Sequence, residues 1–125
     1  MANDSFKINF VTLILIISFN VFAEEKYSIS GKIIFFKRSE GNILISSDCR
    51  KCLAYKAYEK VKEENLHIEK KFKINGANIG ALQCEINLGG EIYTGINQKQ
   101  KNRRLNFCVF KDGSMIHARA LNNTK

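Results

Sequence analysis

The chain contains no proline and has no long apolar run. Because it also lacks low-complexity tracts, no segment is marked as a linker between domains. The longest apolar stretch, Ile8 to Phe19, is shorter than the ~20 residues that a membrane-spanning helix needs. No serine or cysteine is visibly paired with either histidine as a catalytic nucleophile would be. The glycines do not follow a strand in a phosphate-binding pattern. The sequence therefore predicts a single domain that is not an enzyme and carries neither a cofactor nor a metal.

The N-terminus has the three-part pattern of a secretory signal peptide. Lys7 precedes the apolar stretch, and residues 21–23 place small side chains at the two positions that a signal peptidase recognises. We expect cleavage after Ala23, so residues 1–23 are predicted to be the signal peptide and residues 24–125 one mature domain. An uncleaved anchor is the alternative. After cleavage no transmembrane segment is predicted, and the protein is expected to be periplasmic or secreted.

The chain has four cysteines, which in an oxidising compartment indicate two disulfides rather than a zinc site. Four cysteines allow three pairings, and their spacing alone does not choose among them. We favour a bond between Cys84 and Cys108. Cys49 and Cys52 then either pair locally or reach other partners. A Cys-x-x-Cys at a helix start also favours thiolates, which makes a redox-active pair an alternative.

The first half of the mature domain predicts a hairpin and one amphipathic helix. Tyr27 to Phe36 is rich in β-branched and aromatic residues and is predicted to be one strand with a bulge at Gly31. Ile43 to Ile45 forms the return strand of this hairpin. Residues 46–48 supply helix N-cap residues, and the segment from Cys49 to about Asn65 has an apolar stripe and a charged face.

The second half predicts a small antiparallel sheet. Leu66 to Ile74 alternates between apolar and polar residues, which is typical of a half-buried strand. A short helix from Ile79 to Leu88 is predicted next, and two strands from Glu91 to Ile96 and from Leu105 to Phe110. The Asp-Gly pair at 112–113 is a strong hairpin signal. We therefore expect a small α+β domain: an N-terminal hairpin, one amphipathic helix, and a disulfide-tied antiparallel sheet with a short second helix.

The positive charge of the protein is concentrated near the C-terminus. Of the net charge of +8, residues 24–98 contribute a surplus of two and residues 99–125 a surplus of six. We predict that the loop between the two strands contacts an anionic envelope component or an acidic protein. A solvated loop without a partner is the alternative, and specific nucleic-acid binding is not predicted. The loop carries four cations: Lys99, Lys101, Arg103 and Arg104.

Two motifs flank this loop. Residues 84–90 have the sequence CEINLGG, and residues 108–114 have the sequence CVFKDGS. This pattern resembles a domain family of unknown function in small exported bacterial proteins, often labelled haemolysins. The match covers about residues 76–121, with one extra residue before the Gly-Gly pair and without the family's frequent third cysteine. The resemblance implies the Cys84–Cys108 pair and an exported location, and it implies no mechanism.

These observations predict a non-enzymatic exported protein of the periplasm or envelope that acts as a binding or accessory module through its basic loop. Two alternatives belong to other functional classes. The first is a thiol–disulfide redox protein that uses Cys49 and Cys52. The second is a small secreted protease inhibitor that presents the basic loop to a protease.

Overall fold

The computed structural model describes residues 24–69 and 78–122, so the predicted signal peptide lies outside the described residues. Six antiparallel strands form a closed barrel in the order β1-β2-β3-β6-β5-β4. The barrel closes where β1 pairs with β4. The strands are β1 Glu25–Ile29, β2 Lys32–Ser39, β3 Ile43–Ser46, β4 Glu91–Asn97, β5 Arg104–Val109 and β6 Met115–His117.

The predicted α+β class is wrong, because the fold is a mostly β closed barrel with two short helices. That prediction treats the N-terminal hairpin and the C-terminal sheet as separate units. In the structure, Tyr27 of β1 pairs with Asn97 of β4, and Ile45 of β3 pairs with Ile116 of β6. These pairings join strands that are far apart in the sequence, and local sequence patterns do not encode them.

The predicted N-terminal hairpin is a three-stranded meander. Residues 27–36 contain a turn, not a bulge, because Ser30 and Gly31 have φ values of 51° and 80°. The strand predicted from Leu66 to Ile74 is also not seen in its described part, since residues 66–69 are irregular. The rest of that predicted strand lies outside the described residues. The predictions for β3, β4 and β5 are confirmed to within one residue at each end.

Two helices lie between β3 and β4 in the sequence. Helix α1, Leu53–Glu63, starts later than predicted, because Lys51 has a left-handed φ of 47° that ends any helix upstream. Helix α2, Ile79–Leu82, is capped by the Asn78 side chain and continues as one π-helical stretch, Gln83–Asn87. Short 3₁₀ turns at Glu40–Asn42 and Ala118–Leu121 complete the described elements.

Aromatic side chains fill the barrel interior. Strand residues alternate between the interior and the outer surface, and Tyr27, Phe36 and Phe107 are inward positions with no exposed area. The rings of Phe36 and Phe107 stack with centroids 4.4 Å apart, and the Tyr27 ring packs edge-on against both. This aromatic cluster fills the middle of the barrel and separates its two ends.

A second apolar layer lies between the barrel and the helices. Ile45 and Ile116 point outward from β3 and β6 and pack against Val61 of α1. The Cys84–Cys108 disulfide lies in the same layer and is fully buried. The helices therefore cover one side of the barrel, and the outer surface of β1 and β2 stays uncovered in the described part of the chain.

Candidate functional site: the basic end of the barrel

The basic loop follows β4 and is ordered by hydrogen bonds among its backbone groups and the Asn97 side chain. Asn97 is buried, and its side-chain Oδ1 accepts hydrogen bonds from the backbone N–H groups of Lys99, at 2.8 Å, and Gln100, at 3.0 Å. The Arg103 N–H donates to the carbonyl of Gln100, and the Asn97 N–H donates to the carbonyl of Arg103. The loop is therefore a fixed turn from which side chains project.

The four predicted cations are exposed on this turn. Lys101 Nζ donates to the neutral Oε1 atom of Gln98 at 2.8 Å. Within residues 24–69 and 78–122, none of the four forms an ion pair. The structure thus exposes all four charges at the same end of the barrel, where they remain available to an anionic partner.

Further cations reach the same end of the barrel from other elements. Arg38, at the end of β2, binds Glu25 of β1 through both side chains, with Nε–Oε2 at 2.7 Å and Nη2–Oε1 at 3.1 Å. Arg119 lies in the 3₁₀ turn after β6 and is exposed. We call this surface the basic end. It comprises Arg38, Lys99, Lys101, Arg103, Arg104 and Arg119.

The pKa of His117 reflects this clustering. Its side chain is half-buried, and burial lowers its pKa below the ordinary value of 6.5. Arg119, Arg38 and Arg103 lower the pKa further, and Glu25 opposes them. The histidine is therefore neutral at pH 7. Arginines from β2, from the basic loop and from the turn after β6 raise the positive potential at its ring.

An exposed apolar patch runs along the outer face of β2, from Phe35 near the basic end to Ile33 near the β1–β2 turn. Ile33 and Phe35 are outward positions of β2 with 48% and 46% of their area exposed, and Lys26 Nζ lies 5.3 Å from the centroid of the Phe35 ring. Lys26 also adjoins the basic loop, because its carbonyl accepts from the N–H of Gln98 at 2.9 Å. We call Lys26, Ile33 and Phe35 the outer patch.

Both disulfides are present. The expected Cys84–Cys108 pair is confirmed, and Cys49 pairs locally with Cys52. Two disulfides are compatible with an extracellular or periplasmic protein. Across the described ranges, no group of His, Cys, Asp or Glu residues is arranged to hold a metal ion. In the same ranges, no helix combines the length and apolar character that crossing a membrane requires.

The Cys-x-x-Cys pair stands just before α1, and its second cysteine caps that helix. Cys52 Sγ accepts a hydrogen bond from the Tyr55 N–H at 3.4 Å, while the Cys49 carbonyl accepts from Lys37 Nζ at 3.1 Å. A helix N-terminus stabilises a thiolate. The geometry therefore keeps the redox alternative chemically reasonable for Cys52 in the reduced protein.

The sequence indicates a turn at residues 112–114. It does not indicate that Asp112 and Ser114 also bind the N-terminus of α1. Asp112 Oδ2 accepts from the Leu53 N–H at 2.9 Å, and Ser114 Oγ accepts from the Ala54 N–H at 3.0 Å. Burial raises the pKa of Asp112, but hydrogen bonds from Leu53 and Ser114 outweigh it and lower the net pKa. The Asp-Gly-Ser motif therefore caps α1 from a distant loop.

Substitution of Asp112 by alanine should lower the free energy of unfolding by about 1–2 kcal/mol, as the loss of a helix cap does. Asp48 is a matched control, because the sequence predicts a cap there but the structure leaves it exposed without a capping bond. Asp48→Ala should change stability by less than about 0.5 kcal/mol. Denaturant unfolding measures both variants.

The same comparison has a defined pH dependence. A lowered pKa in the folded state stabilises the protein at pH values above the ordinary 3.8, and this contribution disappears as the pH falls through the folded value. The deficit of Asp112→Ala should therefore shrink in acid. Equal effects of Asp112→Ala and Asp48→Ala at neutral pH would contradict the capping role.

Comparison of the chain with protein-family models, with curated proteins and with solved structures returns no match. The resemblance to exported haemolysin-labelled domains thus stays a prediction. Any functional argument depends on the geometry of the described residues.

Proposed function

We propose that the protein is a non-enzymatic exported binding protein that attaches to anionic phospholipid surfaces of the cell envelope through its basic end. The observation that supports this most directly is the rigid loop that exposes four cations without ion-pair partners in the described ranges. Lysine and arginine near an anionic membrane surface contribute about 1 kcal/mol each to binding. Arg119 adds a further exposed cation on the same surface.

The outer patch favours a lipid surface over a purely acidic protein patch. Cations alone suffice for an acidic protein, whereas peripheral membrane binding combines cations with apolar side chains that enter the interface. Phe35 supplies such a side chain next to the loop, and Ile33 continues the exposed apolar face of β2 away from the loop. The predicted signal peptide and the two disulfides support the location in which these lipids would be met.

Replacement of the loop cations should abolish most vesicle binding. The variant Lys99→Gln, Lys101→Gln, Arg103→Gln and Arg104→Gln removes about 1 kcal/mol per charge. Its partition coefficient onto vesicles of phosphatidylglycerol and phosphatidylcholine should fall on the order of a hundredfold or more at low salt. Co-sedimentation with the vesicles measures this, and vesicles of phosphatidylcholine alone give the baseline.

A matched control separates the loop from the total charge. Four exposed lysines outside the basic end are replaced by glutamine, which gives the same net charge as the loop variant. This control should keep most of its binding. Equal losses in both variants, or full binding by the loop variant, would contradict the proposal. The control positions are Lys51, Lys56, Lys60 and Lys62.

A second candidate is a thiol–disulfide redox protein, and the cap on Cys52 Sγ is the observation that favours it. The pKa of the Cys52 thiol in the reduced protein decides this hypothesis. A value well below 8.5 supports it. An ordinary value eliminates it.

A further inference from the structure

The barrel end opposite the basic end contains an open cavity of about 400 Å³. It lies beside the β1–β2 turn and beside the loop that joins β5 to β6. Its volume is within the range of small-molecule sites, near the lower limit. We call it the mouth cavity. Its walls come from β1, β2, β4, β5, β6 and the adjoining loops.

The floor of the mouth cavity is aliphatic. Ile29, Ile34, Val109 and Met115 all face into it, and the first of these is almost fully buried. Below them lies the aromatic cluster, against which Ile34 and Met115 pack. Among the described residues, the one buried side-chain atom without a hydrogen-bond partner is Asn122 Oδ1, which does not line this cavity. An occupant therefore meets a lining in which aliphatic side chains predominate.

The rim of the cavity is charged. Lys32 and Lys111 stand at the rim, are exposed, and have no ion-pair partner in the described ranges. Glu91 is also at the rim and accepts a hydrogen bond from the Tyr93 hydroxyl at 2.9 Å. This hydrogen bond raises the pKa of Tyr93, which stays neutral. Two ammonium groups and one carboxylate leave a single net positive charge at the rim.

We propose that the mouth cavity binds a medium-chain fatty acid, with the aliphatic chain on the floor and the carboxylate at Lys32 and Lys111. The net charge of the rim matches a monoanion. The single net positive charge of the rim would leave one charge of a phosphate dianion uncompensated. The volume fits one aliphatic chain and is too small for a two-chain phospholipid.

The charged groups of this site are separate from the loop cations of the proposed membrane attachment. The basic loop and the mouth cavity lie at opposite ends of the barrel, with the aromatic cluster between them. Variants at one end therefore serve as controls for the other end. Failure of either proposal leaves the other open to its own test.

The test is an NMR titration of the protein with sodium decanoate, kept below its micelle concentration. Saturable shifts are expected in the backbone amides of Ile34, Val109 and Met115. The double variant Lys32→Gln and Lys111→Gln should raise the dissociation constant roughly tenfold, since an exposed ion pair changes affinity by up to about fivefold. Decanol, which has the same chain without the charge, should bind more weakly to the wild type.

Two further variants complete the design. Lys99→Gln with Lys101→Gln, at the basic end, should leave the dissociation constant unchanged. Ile34→Phe fills the cavity and should remove binding, while the dispersion of the amide spectrum checks that the variant is folded. Shifts that do not saturate, shifts centred elsewhere, or an unchanged dissociation constant in Lys32→Gln with Lys111→Gln would overturn the proposal.

Discussion

Replacement of both Cys84 and Cys108 by alanine is expected to lower the free energy of unfolding by about 3.5 kcal/mol. The two residues are 24 positions apart in the sequence. A cross-link over a loop of that length lowers the conformational entropy of the unfolded chain, and this stabilises the fold by about this free energy. Both side chains are fully buried, so water does not replace the contacts that are lost with the two sulfur atoms. For a domain of this size the melting temperature should fall by roughly 15–25 °C.

The second disulfide is the internal control for this prediction. Cys49 and Cys52 are only three positions apart, so the same relation gives roughly 2 kcal/mol for their replacement by alanine. Thermal unfolding followed by circular dichroism, without reductant, compares the two double variants. If removal of the short-range pair destabilised the protein as much as removal of the long-range pair, the role of the Cys84–Cys108 bond would be contradicted.

Local signals are sufficient to predict most single elements of the fold. The short helix after Asn78 is predictable because a capping residue stands at its start and Gly89 stands just after its end, with φ of 71°. Strands β4 and β5 are predictable from their β-branched and aromatic residues. In each case the decisive residues lie within a few positions of one another.

The architecture cannot be predicted in this way. Closure of the barrel depends on the pairing of β1 with β4 and of β3 with β6, and no short segment carries that information. The sequence around Ser30 and Gly31 predicts a bulge instead of the turn, because a serine with φ of 51° is uncommon and the glycine alone does not distinguish the two. This one turn makes the N-terminal unit a three-stranded meander instead of a two-stranded hairpin.

The candidate site is also predictable from the sequence only where its residues are close together in the chain. The four loop cations are visible in the sequence because they lie close together in one polar stretch. Arg38 and Arg119 are not, since they come from segments that meet the loop only after the barrel closes. The exposure of Phe35 is not visible either, because strand periodicity assigns residues to two faces without saying which face is covered.

Substitution of Gly80 by alanine should destabilise the protein although alanine is the better helix former. Helix propensity favours alanine by about 1 kcal/mol. However, a β-carbon on Gly80 would lie 2.7 Å from the carbonyl carbon of Ala118 and closer still to its oxygen. Because this neighbour is backbone, it cannot rotate away, and overpacking of this kind costs about 3 kcal/mol or more. The unfavourable contact outweighs the propensity.

Gly89 provides the matched control at the other end of the same helical segment. It has φ of 71°, and no atom lies within 4 Å of the position that a β-carbon would occupy, so Gly89→Ala should cost only the left-handed strain of about 1–2 kcal/mol. Denaturant unfolding of the two variants separates steric contact from backbone strain. A Gly80→Ala protein as stable as the wild type would show that α2 does not approach the Ala118–Leu121 turn this closely, and the packing that seals this side of the barrel would have to be revised.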